Sequence, residues 1–134
     1  MPKRVFIADD NKTVRNILKF LLTQRAADLE VCGEASNGVQ AVVKGRALSP
    51  DLILLDLAMP EMNGAEAASI LKKLMPDVPI ILFTMYGEDI GQFLKSGIGI
   101  DAVLSKPDGV TALLEAVDTV FTRSSFLVDP TATA

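Results

Sequence analysis

Five short apolar runs alternate with helix-patterned segments along the chain, and that alternation restricts the fold more than any other feature. The runs occupy 4–9, 29–35, 52–56, 80–84 and 102–104. Between them, Val14, Ile17, Leu18 and Leu21 form an i, i+3, i+4, i+7 stripe, and Ala67, Ile70, Leu71 and Leu74 repeat that spacing. Leu113, Val117, Val120 and Phe121 mark the last helix. Val39, Val42 and Val43 mark the second, with Asn37 as N-cap and Gln40 three residues on. The fourth helical segment, around 90–95, is short and weakly patterned; Gly91, Gly97 and Gly99 nearby predict a labile helix. Strand alternating with helix predicts an α/β parallel sheet with helices on both faces. The stretch 51–56, Asp-Leu-Ile-Leu-Leu-Asp, is apolar without alternation, the pattern of a central strand covered on both sides. Turn signals separate the runs at Asn37-Gly38, Ser49-Pro50, Pro60 with Asn63-Gly64, and Asp77 with Pro79.

A chain of 134 residues, 49% of them hydrophobic, can bury one core, here read over 1–122. The less regular stretch 123–134 reads as a C-terminal tail or the start of a linker, with Phe126-Leu127-Val128 able to dock on the body. The net charge of −4 argues against direct nucleic-acid binding by this domain. Neither a signal-peptide core nor an apolar run of ~18 residues occurs, so a cytoplasmic protein without a membrane span is expected. With no histidine and a single cysteine, Cys32, the chain excludes His-based triads, zinc motifs and an internal disulfide. Cys32 lies in an apolar stretch and reads as a small buried hydrophobe. Any bound metal must be a hard cation held by oxygen.

The positions of the polar residues carry the functional signal. Asp9 and Asp10 end the first run, Asp56 the third and Thr84 the fourth, and Lys106 follows the fifth. In an open parallel sheet the carboxyl ends of all strands share one edge, and ligands bind there where strand order reverses. Taken singly each residue has an ordinary reading: Asp10 or Asn11 could cap the first helix, Thr84 could be an ordinary β-former, and Lys106-Pro107 an ordinary surface loop. Together they place carboxylates in one crevice, where their repulsion calls for a cation. Mg²⁺ suits a site with few carboxylates and room for phosphate oxygens.

The set Asp9-Asp10, Asp56-Leu57-Ala58-Met59-Pro60, Gly64, Thr84 and Lys106-Pro107 resembles the response-regulator receiver family of two-component signalling. The likeness covers about residues 3–121. It implies a flavodoxin-like, doubly wound, five-stranded parallel sheet in order 2-1-3-4-5 with five helices, so that strands one and three are neighbours. It implies that Asp56 accepts a phosphoryl group from a sensor histidine kinase or phosphotransfer protein. Asp10, Asp56 and the backbone carbonyl of Ala58 would hold Mg²⁺, with Asp9 acting through water. Thr84 and Lys106 would contact phosphoryl oxygens and pass the change to the surface of helix four, strand five and helix five. Such a domain is a switch with a downstream effector, able to form a homodimer, rather than a turnover enzyme.

Three positions depart from the family pattern. Val103 stands where Tyr or Phe is usual, which puts the aromatic rotamer switch in question; Tyr86 is expected at the mouth of the site instead. Met85 replaces a small residue beside Thr84 and would hinder approach to an aspartyl phosphate or slow its hydrolysis. Ala58 offers no polar side chain, and hydrolysis is tuned there too. The rival reading is a receiver-like binding module that works without phosphorylation. Enzyme rivals lack their residues: a phosphatase acid two after Asp56, a P-loop, or glycines after the first strand.

Overall fold

The computed structural model describes residues 2–25, 29–84, 102–105 and 109–128. Strands β1 (Lys3–Ala8), β2 (Leu29–Ala35), β3 (Leu52–Leu55), β4 (Ile80–Thr84) and β5 (Ala102–Ser105) form one sheet in the order β2-β1-β3-β4-β5. Every neighbouring pair is parallel. Helices α1 (Lys12–Arg25), α2 (Gly38–Leu48), α3 (Gly64–Leu74) and α4 (Gly109–Val128) are described. The weakly patterned segment around 90–95 lies outside the described residues, so α4 here is the last of the described helices.

The alternation of side chains along a strand divides the core in two. Val5 and Ile7 of β1 join Leu52, Leu54, Ile81 and Phe83 beneath α1 and α4. Phe6 and Ala8 join Ile53, Leu55, Ile80 and Leu82 beneath α2 and α3. Leu52–Leu55 is buried at every position, as a strand between β1 and β4 with helices on both sides must be. Burying each such side chain contributes roughly 1.5–3 kcal/mol. β2 takes the sheet edge, and its register against β1 shifts at Cys32, which is half-buried and packs on the α2–α3 core. That partial burial pushes the Cys32 thiol above its ordinary range.

The helix starts have local causes. Asn37 accepts from the Gln40 N–H at 2.8 Å, while the Gln40 side chain returns to the Ser36 N–H at 3.1 Å. Asn63 accepts from the Glu66 N–H at 2.9 Å, so the Asn63-Gly64 pair is a helix start rather than a free turn. α2 ends at Ser49 in a left-handed conformation (φ 47°), and the Arg4 guanidinium binds the Leu48 and Ser49 carbonyls at 2.6 and 3.1 Å.

Three expectations are corrected. The α1 stripe faces the core through Leu18 and Leu22, with Val14 and Leu21 half-buried, and Ile17 lies outside it. On α2, Val39 and Val43 point outward, and Gly38, Ala41 and Gly45 face the core. The stretch from 123, read as a less regular tail, is helical through Val128, because nothing between Thr122 and Val128 breaks the helix before Pro130.

Candidate functional site

The carboxyl edge of the sheet is built from paired strand ends. Ala8 of β1 is level with Leu55 of β3, and the Asp56 N–H donates to the Ala8 carbonyl at 2.8 Å. The chain therefore leaves both strands at one height and delivers Asp9 and Asp56 side by side. Asp9 is tied to the other neighbour as well, its N–H donating to the Ala35 carbonyl of β2 at 3.0 Å. One carboxylate oxygen from each of Asp9, Asp10 and Asp56 lies within 4.8 Å of the others. Asp9 is 2% exposed and Asp56 5%, and they are the buried charged residues among those described. Asp10 is exposed and closes the cluster on the solvent side.

The turn after β1 settles which residue caps α1. The Asn11 side chain accepts from the Val14 N–H at 3.1 Å, which leaves Asp10 out of the cap and in the carboxylate group. Asn11 also donates its own N–H to Asp9 Oδ1 at 2.9 Å. From the first turn of α1, Arg15 reaches back to the Asp9 carbonyl at 2.7 Å. The Arg15 guanidinium is itself held by Glu34 of β2 through Nε at 2.9 Å, and the second Glu34 oxygen takes Lys19 Nζ at 2.7 Å. The Lys19 hydrogen bond, the largest influence, holds the Glu34 carboxyl below its ordinary value; burial opposes it, and the Arg15 hydrogen bond adds to the lowering.

The loop from β3 to α3 is folded back on Asp56. The Gly64 N–H donates to the Leu57 carbonyl at 2.8 Å, and a Cβ at Gly64 would fall on the Asp56 carbonyl oxygen. Only glycine permits that approach. Met59 is buried in the α2–α3 core and anchors the loop, while Ala58 beside it is exposed. Glu61 takes a left-handed conformation (φ 68°) just before the Met62 N–H closes on the Pro60 carbonyl at 2.7 Å.

The other predicted site positions are only partly described. Thr84 ends β4 level with Ser105 of β5, and Val103 is level with Leu82. Lys106 follows Ser105 in sequence; Lys106, Met85 and Tyr86 lie outside the described residues. Sequence patterns gave no hint of Arg15 or Glu34. A charged residue one position before the carboxyl end of an edge strand is a usable signal, because that strand end borders the crevice.

Chemically the cluster is a set of hard oxygen donors, two of them withdrawn from solvent, with neither histidine nor cysteine in the group. Such donors fit a small divalent cation such as Mg²⁺ better than a softer metal. No helix among the described residues is long and apolar enough to cross a membrane.

Comparison with known proteins follows the same lines. The family described as response regulator receiver domain matches residues 5–118. Response regulator protein VraR of Staphylococcus saprophyticus is 35% identical over 126 residues, which is 93% of this chain and 59% of that protein. The chain thus spans less than two thirds of that relative's length. Among solved structures, the REC domain of AraT, a response regulator from Geobacillus stearothermophilus, superposes with a TM-score of 0.84 at 26% identity. That match covers 96% of this chain and all of the other. The response regulator domain of Thermotoga maritima CheB gives a TM-score of 0.76 at 29% identity over 97% of this chain and 100% of its own.

Proposed function

The chain belongs to the response regulator receiver domain family, and from that premise we propose that Asp56 is its phosphoryl acceptor, working with Mg²⁺ held at the Asp9–Asp10–Asp56 cluster. Receiver domains bind Mg²⁺ at an acidic cluster and work with histidine kinases and effector domains. The observation that carries the reading here is the convergence of the three carboxylates within 4.8 Å at the carboxyl edge of the sheet.

In this reading an Asp56 oxygen forms the bond to phosphorus as the phosphorus–nitrogen bond of a donor phosphohistidine breaks. The imidazole leaves with the electron pair and takes up a proton. Phosphoryl transfer depends on placement and charge neutralisation more than on covalent assistance. The bound ion supplies positive charge for the carboxylates and the incoming phosphoryl oxygens. Asp10 and Asp56 would hold it through carboxylate oxygens, and by the family resemblance the Ala58 carbonyl would complete the protein's share. Asp9, with Oδ1 already accepting from Asn11, would act through water. Thr84 and Lys106 receive the phosphoryl oxygens, as the family resemblance implies. The product is an acyl phosphate that alters partner preference, so the domain is a switch and not a turnover enzyme. Its donor is a cytoplasmic histidine kinase or phosphotransfer protein, and its output is an effector or a homodimer.

Incubation with Mg²⁺ and a small phosphodonor, followed by intact-mass spectrometry, tests this. A phosphoryl mass gain that disappears in Asp56→Asn supports the switch. No gain in the wild type, with beryllofluoride also failing to bind, would leave the phosphorylation-independent binding module as the reading.

A further inference from the structure

We propose that Arg15 is a positioning residue for the metal cluster, clamping the main chain of Asp9 to edge strand β2 through Glu34. The inference rests on the Mg²⁺ reading of the acidic cluster given above.

Asp9 lies at the junction of β1 and the capping turn, where the backbone leaves the sheet and its direction is no longer set by strand pairing. Its N–H is fixed by the Ala35 carbonyl at 3.0 Å, and its Oδ1 by the Asn11 N–H at 2.9 Å. The carbonyl of the Asp9–Asp10 peptide is fixed by Arg15 at 2.7 Å. That peptide plane sets where both carboxylates of the pair project. Arg15 is suited to this because its planar fork presents several donors at once. One donor serves the Asp9 carbonyl while Nε binds Glu34 Oε1 at 2.9 Å. Glu34 is in turn steadied by Lys19 at 2.7 Å. The Arg15 side chain is largely buried, with 14% exposure, so the contact is not a loose surface pairing. Partners that orient metal ligands in this way typically change metal affinity 10–100-fold when removed.

Electrostatics alone predicts the opposite sign. Arg15 is a cation beside a cation site, and its removal would tighten Mg²⁺ binding if charge were its only role. A positioning role requires weaker binding despite the more favourable field. Calorimetric titration of the 134-residue chain with MgCl₂, paired with thermal melts in chelator, separates the two. Arg15→Met is expected to weaken Mg²⁺ binding about 10-fold or more. Glu34→Gln, which loosens the anchor but leaves Arg15 in place, should weaken it by less. Lys19→Met removes a cation from the same carboxylate without touching Asp9 and should leave affinity within about twofold; it controls for a general effect of disturbing Glu34. Arg15→Lys keeps the charge but cannot span both partners, and should resemble Arg15→Met. Unchanged or tighter binding in a folded Arg15→Met protein overturns the inference, as does an equal loss in Lys19→Met. Wild-type protein that does not bind Mg²⁺ overturns the proposed function and this inference with it.

Discussion

The Asp56 N–H is hydrogen-bonded to the carbonyl of Ala8, the residue before Asp9, at 2.8 Å. The contact extends the β1–β3 ladder by one step past the last paired residues, Ala8 and Leu55. Two carboxylates that repel each other are thus held together by backbone pairing and not by their own interaction. The strands supply the stability, and the acids draw on it. That separation makes the cluster's response to a cation predictable.

Mg²⁺ is expected to raise the unfolding midpoint of the wild type, because an ion that binds only the folded state adds about 1.4 kcal/mol at tenfold over its Kd. Asp10→Asn removes the exposed member of the cluster. In chelator this variant should be no less stable than the wild type, since one charge of a repelling group is gone. In Mg²⁺ it should lose most of the stabilisation. Melts with and without Mg²⁺ give both readings, and a variant that keeps the full Mg²⁺ shift would remove Asp10 from the metal site.

Two glycines should respond oppositely to alanine. At Gly64 the new methyl would meet the Asp56 carbonyl oxygen, which is backbone and cannot yield. Gly64→Ala is expected to cost about 1–3 kcal/mol and to disturb the Asp56 loop. At Gly45, inside α2, the methyl would meet only Leu71 and Ile53 side chains at 3.5 and 3.9 Å, ordinary contact distances. Gly45→Ala should stabilise by up to ~1 kcal/mol through helix propensity. Urea denaturation of the two variants measures both signs.

The same glycines mark where sequence reading succeeds and fails. The sheet was legible because β3 is apolar at every position and four of the five apolar runs lead into a polar residue at one edge. The faces of the helices were less so. On α2 the valines invite burial, yet Val43 is 64% exposed and the helix packs through Gly38, Ala41 and Gly45. Close approach of α2 to Met62 and Leu71 leaves room only for small residues, and hydrophobic periodicity does not weigh distance. On α1, Phe20 is 61% exposed while Leu18 and Leu22 are buried, a shift of the stripe by one position. The acids of the site could be found because strand ends announce them. Arg15 could not, since its target is a main-chain carbonyl that no side-chain pattern records.

Glu61 offers a stabilising substitution next to the site. Its φ of 68° lies in the left-handed region, which disfavours a residue with a long side chain. The side chain is exposed, so little packing is lost on replacement. Glu61→Gly keeps the loop conformation with the residue that adopts positive φ without steric cost, and should stabilise by about 0.5–1 kcal/mol. Chemical denaturation checks the sign, and a destabilised variant would mean that Glu61 makes a contact that outweighs its backbone strain.

The Glu34 network predicts a specific acid sensitivity. The Lys19 hydrogen bond, joined by that of Arg15, holds the Glu34 carboxyl below its ordinary value of about 4.5. A carboxyl depressed in the folded state binds its proton more readily when unfolded, so stability must rise with pH across the interval between the two values. The contribution of Glu34 is therefore complete above about pH 4.5 and is lost as pH falls through the lower, folded value. Glu34→Gln cannot titrate and should show a shallower loss of stability below that pH, while its deficit relative to wild type stays constant above it. Because the carboxylate is about one third exposed, solvent and salt reduce the effect, and added salt should shrink the difference between the two proteins. Unfolding midpoints measured at pH 3 to 7 in low and high salt decide the matter, and identical pH profiles for the two proteins would show that Glu34 is not held as its contacts indicate.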